Sequence, residues 1–67
     1  MKFLRLYDVK ALTGLSRSTI YRYAKQGIFP GPARLGRRSI AWVEAEVLAW
    51  IAERIRERDQ QAPVAAV

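Results

Sequence analysis

Four residues, Thr13-Gly14-Leu15-Ser16, separate two apolar-periodic stretches and restrict what this chain can fold into more than any other feature. Glycine adopts left-handed backbone angles without steric penalty, so Gly14 ends one helix. The Ser16 hydroxyl can accept a hydrogen bond from an orphan amide in the first turn of the next. Upstream, Leu6, Val9 and Leu12 fall at i, i+3 and i+6 and predict a short helix over about residues 7–13. Downstream, a second helix is predicted over about residues 17–26, stopped by Gly27. Two helices joined by so short a glycine-containing turn fit a helix-turn-helix.

At roughly 100° per residue the second helix has two faces. Ile20, Tyr23, Ala24 and Gly27 form the core face, and Arg17, Ser18, Tyr21, Arg22 and Lys25 share the outward arc, with Thr19 at its edge. Phe29-Pro30-Gly31-Pro32 cannot continue a helix, because each proline lacks an N–H and fixes its own backbone. Two short runs follow, Ala33-Arg34-Leu35 and Ile40-Ala41-Trp42, in which Leu35, Ile40 and Trp42 could face the core around the turn Gly36-Arg37-Arg38-Ser39. They predict a small β-hairpin with two arginines at its tip.

From residue 43 to about 58 the period is helical again, with Val43, Val47, Leu48, Trp50, Ile51 and Ile55 on one side. Residues 60–67 carry no amphipathic repeat and no charge, and are expected to form a flexible C-terminal tail after a single domain of residues 1–59. The large aromatic residues Phe3, Phe29, Trp42 and Trp50 are expected in the core, and Tyr7 and Tyr23 as packing residues; the alternative is a stacking platform for single strands. The fold class is therefore mainly α with a small β-hairpin, a winged helix-turn-helix.

A chain of 67 residues buries only about 60% of its unfolded surface, so the core is small and an enclosed active site is not expected. Cysteine and histidine are both absent, which removes disulfides, thiolate nucleophiles, imidazole bases and the usual zinc ligands. Glu44 and Glu46 point about 200° apart on a helix and cannot act together at one bond, so no enzyme activity and no cofactor is expected. No apolar run approaches the roughly 18 residues of a membrane span and MKFLRLYD lacks the apolar core of a signal peptide, which predicts a cytoplasmic protein that does not engage a membrane.

Charge is uneven along the chain. Residues 1–42 hold nine basic side chains against Asp8, a balance of +8, while residues 43–67 hold three basic and five acidic ones, a balance of −2. A basic body suits a polyanion partner, and the alternative is a basic surface kept for solubility. Arg17 and Arg22 can contact guanine or phosphate, Ser18 and Thr19 can bond to either, Tyr21 can reach a phosphate or pack on a thymine methyl, and Lys25 suits the backbone. Arg37 and Arg38, with Arg34 at the base of the hairpin, can enter a minor groove or clamp the phosphates beside it. For both sets the alternative is a solvated, charged surface.

LTGLSRSTIYR, the GIFPGPARLG stretch and the Trp-Val-Glu-Ala-Glu-Val-x-x-Trp-Ile helix together resemble the AlpA family of small prophage regulators, related to excisionases and to MerR-type winged-helix domains. The resemblance covers residues 3 to about 59. It implies a sequence-specific duplex-DNA-binding transcriptional regulator of a prophage or integrative element, with Arg17, Ser18, Thr19, Tyr21 and Arg22 on the recognition helix and Arg37 and Arg38 on the wing. The alternatives are an excisionase that bends DNA and directs an integrase, and a protein-interaction module. Expected partners are double-stranded DNA, an integrase or RNA polymerase, and further copies of the chain cooperating on DNA. The wing turn departs from the family pattern by carrying two arginines where a glycine is often found.

Overall fold

The computed structural model describes residues 1–61. In chain order the elements are β1 (Phe3–Leu4), α1 (Leu6–Thr13), α2 (Arg17–Lys25), β2 (Ala33–Arg34), β3 (Ile40–Val43) and α3 (Glu44–Gln60). Three helices and a three-stranded antiparallel sheet of order β1-β3-β2 make a winged helix-turn-helix.

The predicted turn forms, with more help than glycine alone supplies. Gly14 takes φ 73° and its N–H bonds the Lys10 carbonyl at 2.8 Å, an αL helix end. The Thr13 hydroxyl donates to the Val9 carbonyl at 2.7 Å and accepts the Leu15 N–H at 3.2 Å, so the first amide beyond the glycine turn finds a partner within the chain. Ser16 opens α2 as expected, its Oγ accepting the Thr19 N–H at 3.2 Å. At the far end Gly27, at φ 76°, donates to Ala24 while Ile28 donates to Tyr23, the paired bonds of a Schellman motif. That left-handed step turns the chain outward, so Gly27 is exposed rather than on the core face where its helical position would place it.

Leu4, Val9, Ile20, Phe29, Trp42 and Val47 form the buried core, and one residue from nearly every element contributes. Both tryptophans clamp the loop that leaves α2. The Trp42 indole N–H donates to the Pro30 carbonyl at 3.0 Å and the Trp50 indole N–H to the Ile28 carbonyl at 2.7 Å, while Phe29 packs edge-on against Trp50 with centroids 4.9 Å apart. The indoles thus bury apolar area and satisfy carbonyls that the prolines and the turn leave without ladder partners.

Strand β1 is the element that sequence periodicity misses. Leu4 pairs with Trp42 and Phe3 with Val43, which makes β3 the central strand between β1 and the wing strand β2. With neighbours on both sides, Ala41 and Trp42 lose all exposure. Phe3 is consequently not a core residue: Leu4 takes the inward position of the two-residue strand, and the alternation leaves Phe3 42% exposed. Tyr7 is 81% exposed, opposite the face of α1 that carries Val9, so it does not pack either. Leu35 and Leu12 are also exposed, Leu35 because β2 stops at Arg34 and the chain enters the turn there. Val43 closes β3 and caps α3 instead of lying within it, and of the apolar side predicted for α3, Val47 is buried, Trp50 and Ile51 are half-buried, and Leu48 and Ile55 are exposed. The helix continues through Gln60, one residue into the expected tail; residues 62–67 of that tail lie outside the described residues. Among the described residues no helix is long and apolar enough to cross a membrane.

Trp42→Ala is expected to cost about 3–5 kcal/mol, comparable with the whole stability of a small domain, whereas Tyr7→Ala stays within about 0.5 kcal/mol of wild type. Urea unfolding followed by circular dichroism measures both. Gly14→Ala, which forces a Cβ into left-handed backbone geometry at an otherwise open position, is expected to lower stability by about 1–2 kcal/mol in the same assay.

Candidate nucleic-acid interface

The cap that starts α2 also shapes its exposed end. Ser16 Oγ, besides accepting from the Thr19 amide, donates to Thr19 Oγ1 at 3.0 Å and lies 3.4 Å from Ser18 Oγ. Thr19 is thereby tied into the cap and half-buried, at the edge of the polar arc where the helical period places it. Ser18 stays exposed. The amides of Arg17 and Ser18 have no carbonyl a turn earlier to bond, so the helix start presents N–H donors beside its hydroxyls and cations.

Arg17, Arg22 and Lys25 are exposed on α2, and Arg34, Arg37 and Arg38 are exposed on the hairpin. Each of the four ion pairs in the described residues ends on an α3 carboxylate: Lys2 with Glu44, Arg54 with Glu57, Arg56 with Glu53, and Arg58 with Asp59. Among the described residues, therefore, none of the six cations on α2 and the hairpin is paired with an acid. Such a surface attracts a polyanion with no internal ion pair to break first.

The hairpin turn is closed by the Leu35 and Gly36 amides, which donate to the Ser39 carbonyl at 2.7 and 3.2 Å. This places Arg37 and Arg38 at the apex, as the sequence predicts. Among the described residues no hydrogen bond or ion pair joins them to α2. The link between the two surfaces runs through the core instead: Tyr21 on α2 meets Trp42 on β3 edge-on, with centroids 5.9 Å apart and planes at 66°.

Tyr21 is the candidate whose placement differs from expectation. It is half-buried rather than fully outward, because on the helical wheel it lies only about 60° from Ala24 at the margin of the core face, within reach of the indole. The Arg17 guanidinium lies over the Tyr21 ring, 5.5 Å from its centroid, and the Arg22 guanidinium over the Tyr23 ring, 5.6 Å from its centroid. Sequence reasoning did not find Arg5, whose guanidinium donates to the Ile40 carbonyl at 3.1 Å and so ties the start of α1 to the wing strand. Its only sequence signal is the Arg5-x-x-Asp8 spacing, in which the Asp8 carboxylate accepts the Arg5 amide at 3.1 Å and fixes Arg5 as the N-cap residue of α1.

The family profile described as the prophage CP4-57 regulatory protein (AlpA) matches residues 2–55. The chain is 49% identical over 57 residues to the protein ORF88 of Enterobacteria phage P4, covering 85% of this chain and 65% of that protein. It is 34% identical over 62 residues to the DNA-binding transcriptional activator AlpA of Escherichia coli K12, covering 84% of this chain and 89% of the relative. The matched stretch contains every helix start, the glycine turn, both indole clamps and the wing, and on that basis the chain belongs to the AlpA family of prophage regulatory proteins.

Proposed function

We propose that this protein binds duplex DNA sequence-specifically and regulates transcription of a prophage or integrative element. The observation that carries the proposal is the set of six exposed cations on α2 and the hairpin, unpaired among the described residues while the acids gather on and around α3. The regulatory role is supported by the E. coli relative, described as a DNA-binding transcriptional activator. DNA as partner and the absence of a membrane-spanning helix among the described residues support action in the bacterial cytoplasm.

The dimensions agree with this role. An α-helix with its side chains is about 10–12 Å across and fits the roughly 12 Å width of the major groove, and α2 presents nine residues to it. With α2 in that groove, Arg17 and Ser18 at its start meet base edges, Arg22 reaches a base or a phosphate, and Lys25, two turns on, meets the backbone. Thr19 supports the helix start through the Ser16 hydroxyl and offers its remaining capacity to the same strand. Arg34, Arg37 and Arg38 on the wing meet the adjacent minor groove or its phosphates, where guanidinium groups are favoured by the negative potential. The two regions do different work: base contacts confer sequence discrimination, and phosphate contacts add affinity on any duplex. A domain of this size covers few base pairs, so occupation of repeated sites by more than one copy, or together with a partner protein such as RNA polymerase or an integrase, follows from its area.

Replacing Arg17 or Arg22 by Ala is expected to reduce discrimination between a selected and a scrambled duplex by about 1–3 kcal/mol where the contact is bidentate to guanine. Replacing Arg37 or Arg38 by Ala is expected to weaken both duplexes alike and to lower the slope of log K against log salt by about 0.9 per lost phosphate contact. Fluorescence anisotropy over a salt series measures both quantities. Equal losses on every duplex for the two sets would contradict the division between α2 and the wing.

A further inference from the structure

Tyr21 belongs to the outward arc of α2, yet its ring is spent on protein. It forms a T-shaped pair with Trp42, itself fully buried and fixed by the bond from its indole N–H to the Pro30 carbonyl. The Arg17 guanidinium carbon lies 5.5 Å from the ring centroid, inside the roughly 6 Å range of cation–π attraction, as i and i+4 spacing on a helix allows. The Tyr21 hydroxyl makes no hydrogen bond among the described residues, and Arg17 makes no ion pair there. Arg22 has a similar seat over Tyr23, but no aromatic pairing braces that ring among the described residues.

We infer that Tyr21 is a positioning residue: braced by Trp42, its ring holds the Arg17 guanidinium in place for base recognition and sets sequence discrimination through Arg17, not through a DNA contact of its own hydroxyl. The inference rests on the DNA-binding function proposed above. An exposed arginine samples many rotamers, and immobilising it on binding costs affinity. A ring fixed to the core removes part of that cost before DNA arrives. Because Trp42 lies on β3, the same brace sets the recognition helix and the wing strand in one frame.

The test uses the wild-type chain and the variants Tyr21→Phe, Tyr21→Leu, Arg17→Ala and the double variant Tyr21→Leu/Arg17→Ala. The probes are a duplex enriched from a randomised pool by the wild-type protein and a scrambled duplex of the same composition. Affinities are compared well below each variant's unfolding midpoint. Tyr21→Phe, which keeps the ring, is expected to preserve the ratio of the two affinities, whereas Tyr21→Leu lowers it about three- to fivefold with the salt slope unchanged. In the Arg17→Ala background the Tyr21→Leu loss disappears. A loss with Tyr21→Phe equal to that with Tyr21→Leu would assign the effect to the hydroxyl, and an undiminished loss in the Arg17→Ala background would make Tyr21 independent of Arg17; either overturns the inference while leaving DNA binding standing. Failure of the wild-type protein to enrich any sequence overturns the DNA-binding function and the inference with it. Should Tyr21→Leu not fold, proton NMR of the wild type and Tyr21→Phe decides the point: the Arg17 δ protons are expected upfield of random-coil positions in both, and random-coil shifts would overturn the inference.

Discussion

The burial of Trp42 is the interaction on which the rest of the structure depends. A fully buried tryptophan removes about 150–250 Å² from water, roughly 4–6 kcal/mol on the usual area scale, in a domain whose total stability is of the order of 5–15 kcal/mol. The same ring has directional duties. Its strand position pairs with Leu4, its N–H holds the loop at Pro30, and its ring packs against Tyr21 from α2 in a T-shaped pair. Helix-turn-helix and wing are therefore packed against one side chain, and their relative placement follows from it.

Around that centre the charges are sorted by element. Of the five acids on α3, Glu53, Glu57 and Asp59 form local ion pairs with Arg56, Arg54 and Arg58, exposed pairs worth only a fraction of a kcal/mol each to stability. Their larger effect is on the field of the molecule: five of the six acids lie on α3, and none pairs with the cations of α2 or the hairpin among the described residues. A polyanion approaching this surface is steered toward the face with hydroxyls and open amides at its helix start, and that steering weakens as salt is added. Stability thus comes from a small aromatic core, while the exposed cations of α2 and the hairpin contribute little to folding.

Much of this was legible in the chain. Gly14, Ser16 and Gly27 mark helix ends through backbone chemistry that acts locally, and the structure uses all three. The hairpin was readable from its Gly-Arg-Arg-Ser turn and from Ile40 and Trp42 at alternate positions. β1 was not, because two residues establish no period and its partner lies across the whole domain in sequence. Phe3 was expected in the core and Tyr7 as a packing residue for their size, and Leu35 from its place in the hairpin; a domain this small lacks the interior to bury every large apolar side chain, and β2 ends before Leu35. For the candidate site, the helical wheel separated outward from inward residues on α2 except at Gly27, which the left-handed helix end turns outward, and at Tyr21, which turns inward because Trp42, a residue distant in sequence, offers it a surface.

In the function proposed above, α2 and the hairpin tip both contact duplex DNA, and they are linked through the core by the packing of Tyr21 on Trp42. Amide chemical-shift mapping of the labelled protein against a duplex it has selected tests this most directly. The largest changes are expected for residues 16–25 and 34–40, together with the Trp42 indole N–H, while residues 53–60 of α3 stay unperturbed. Large changes confined to α3 or to the outer face of α1, with α2 silent, would contradict the account.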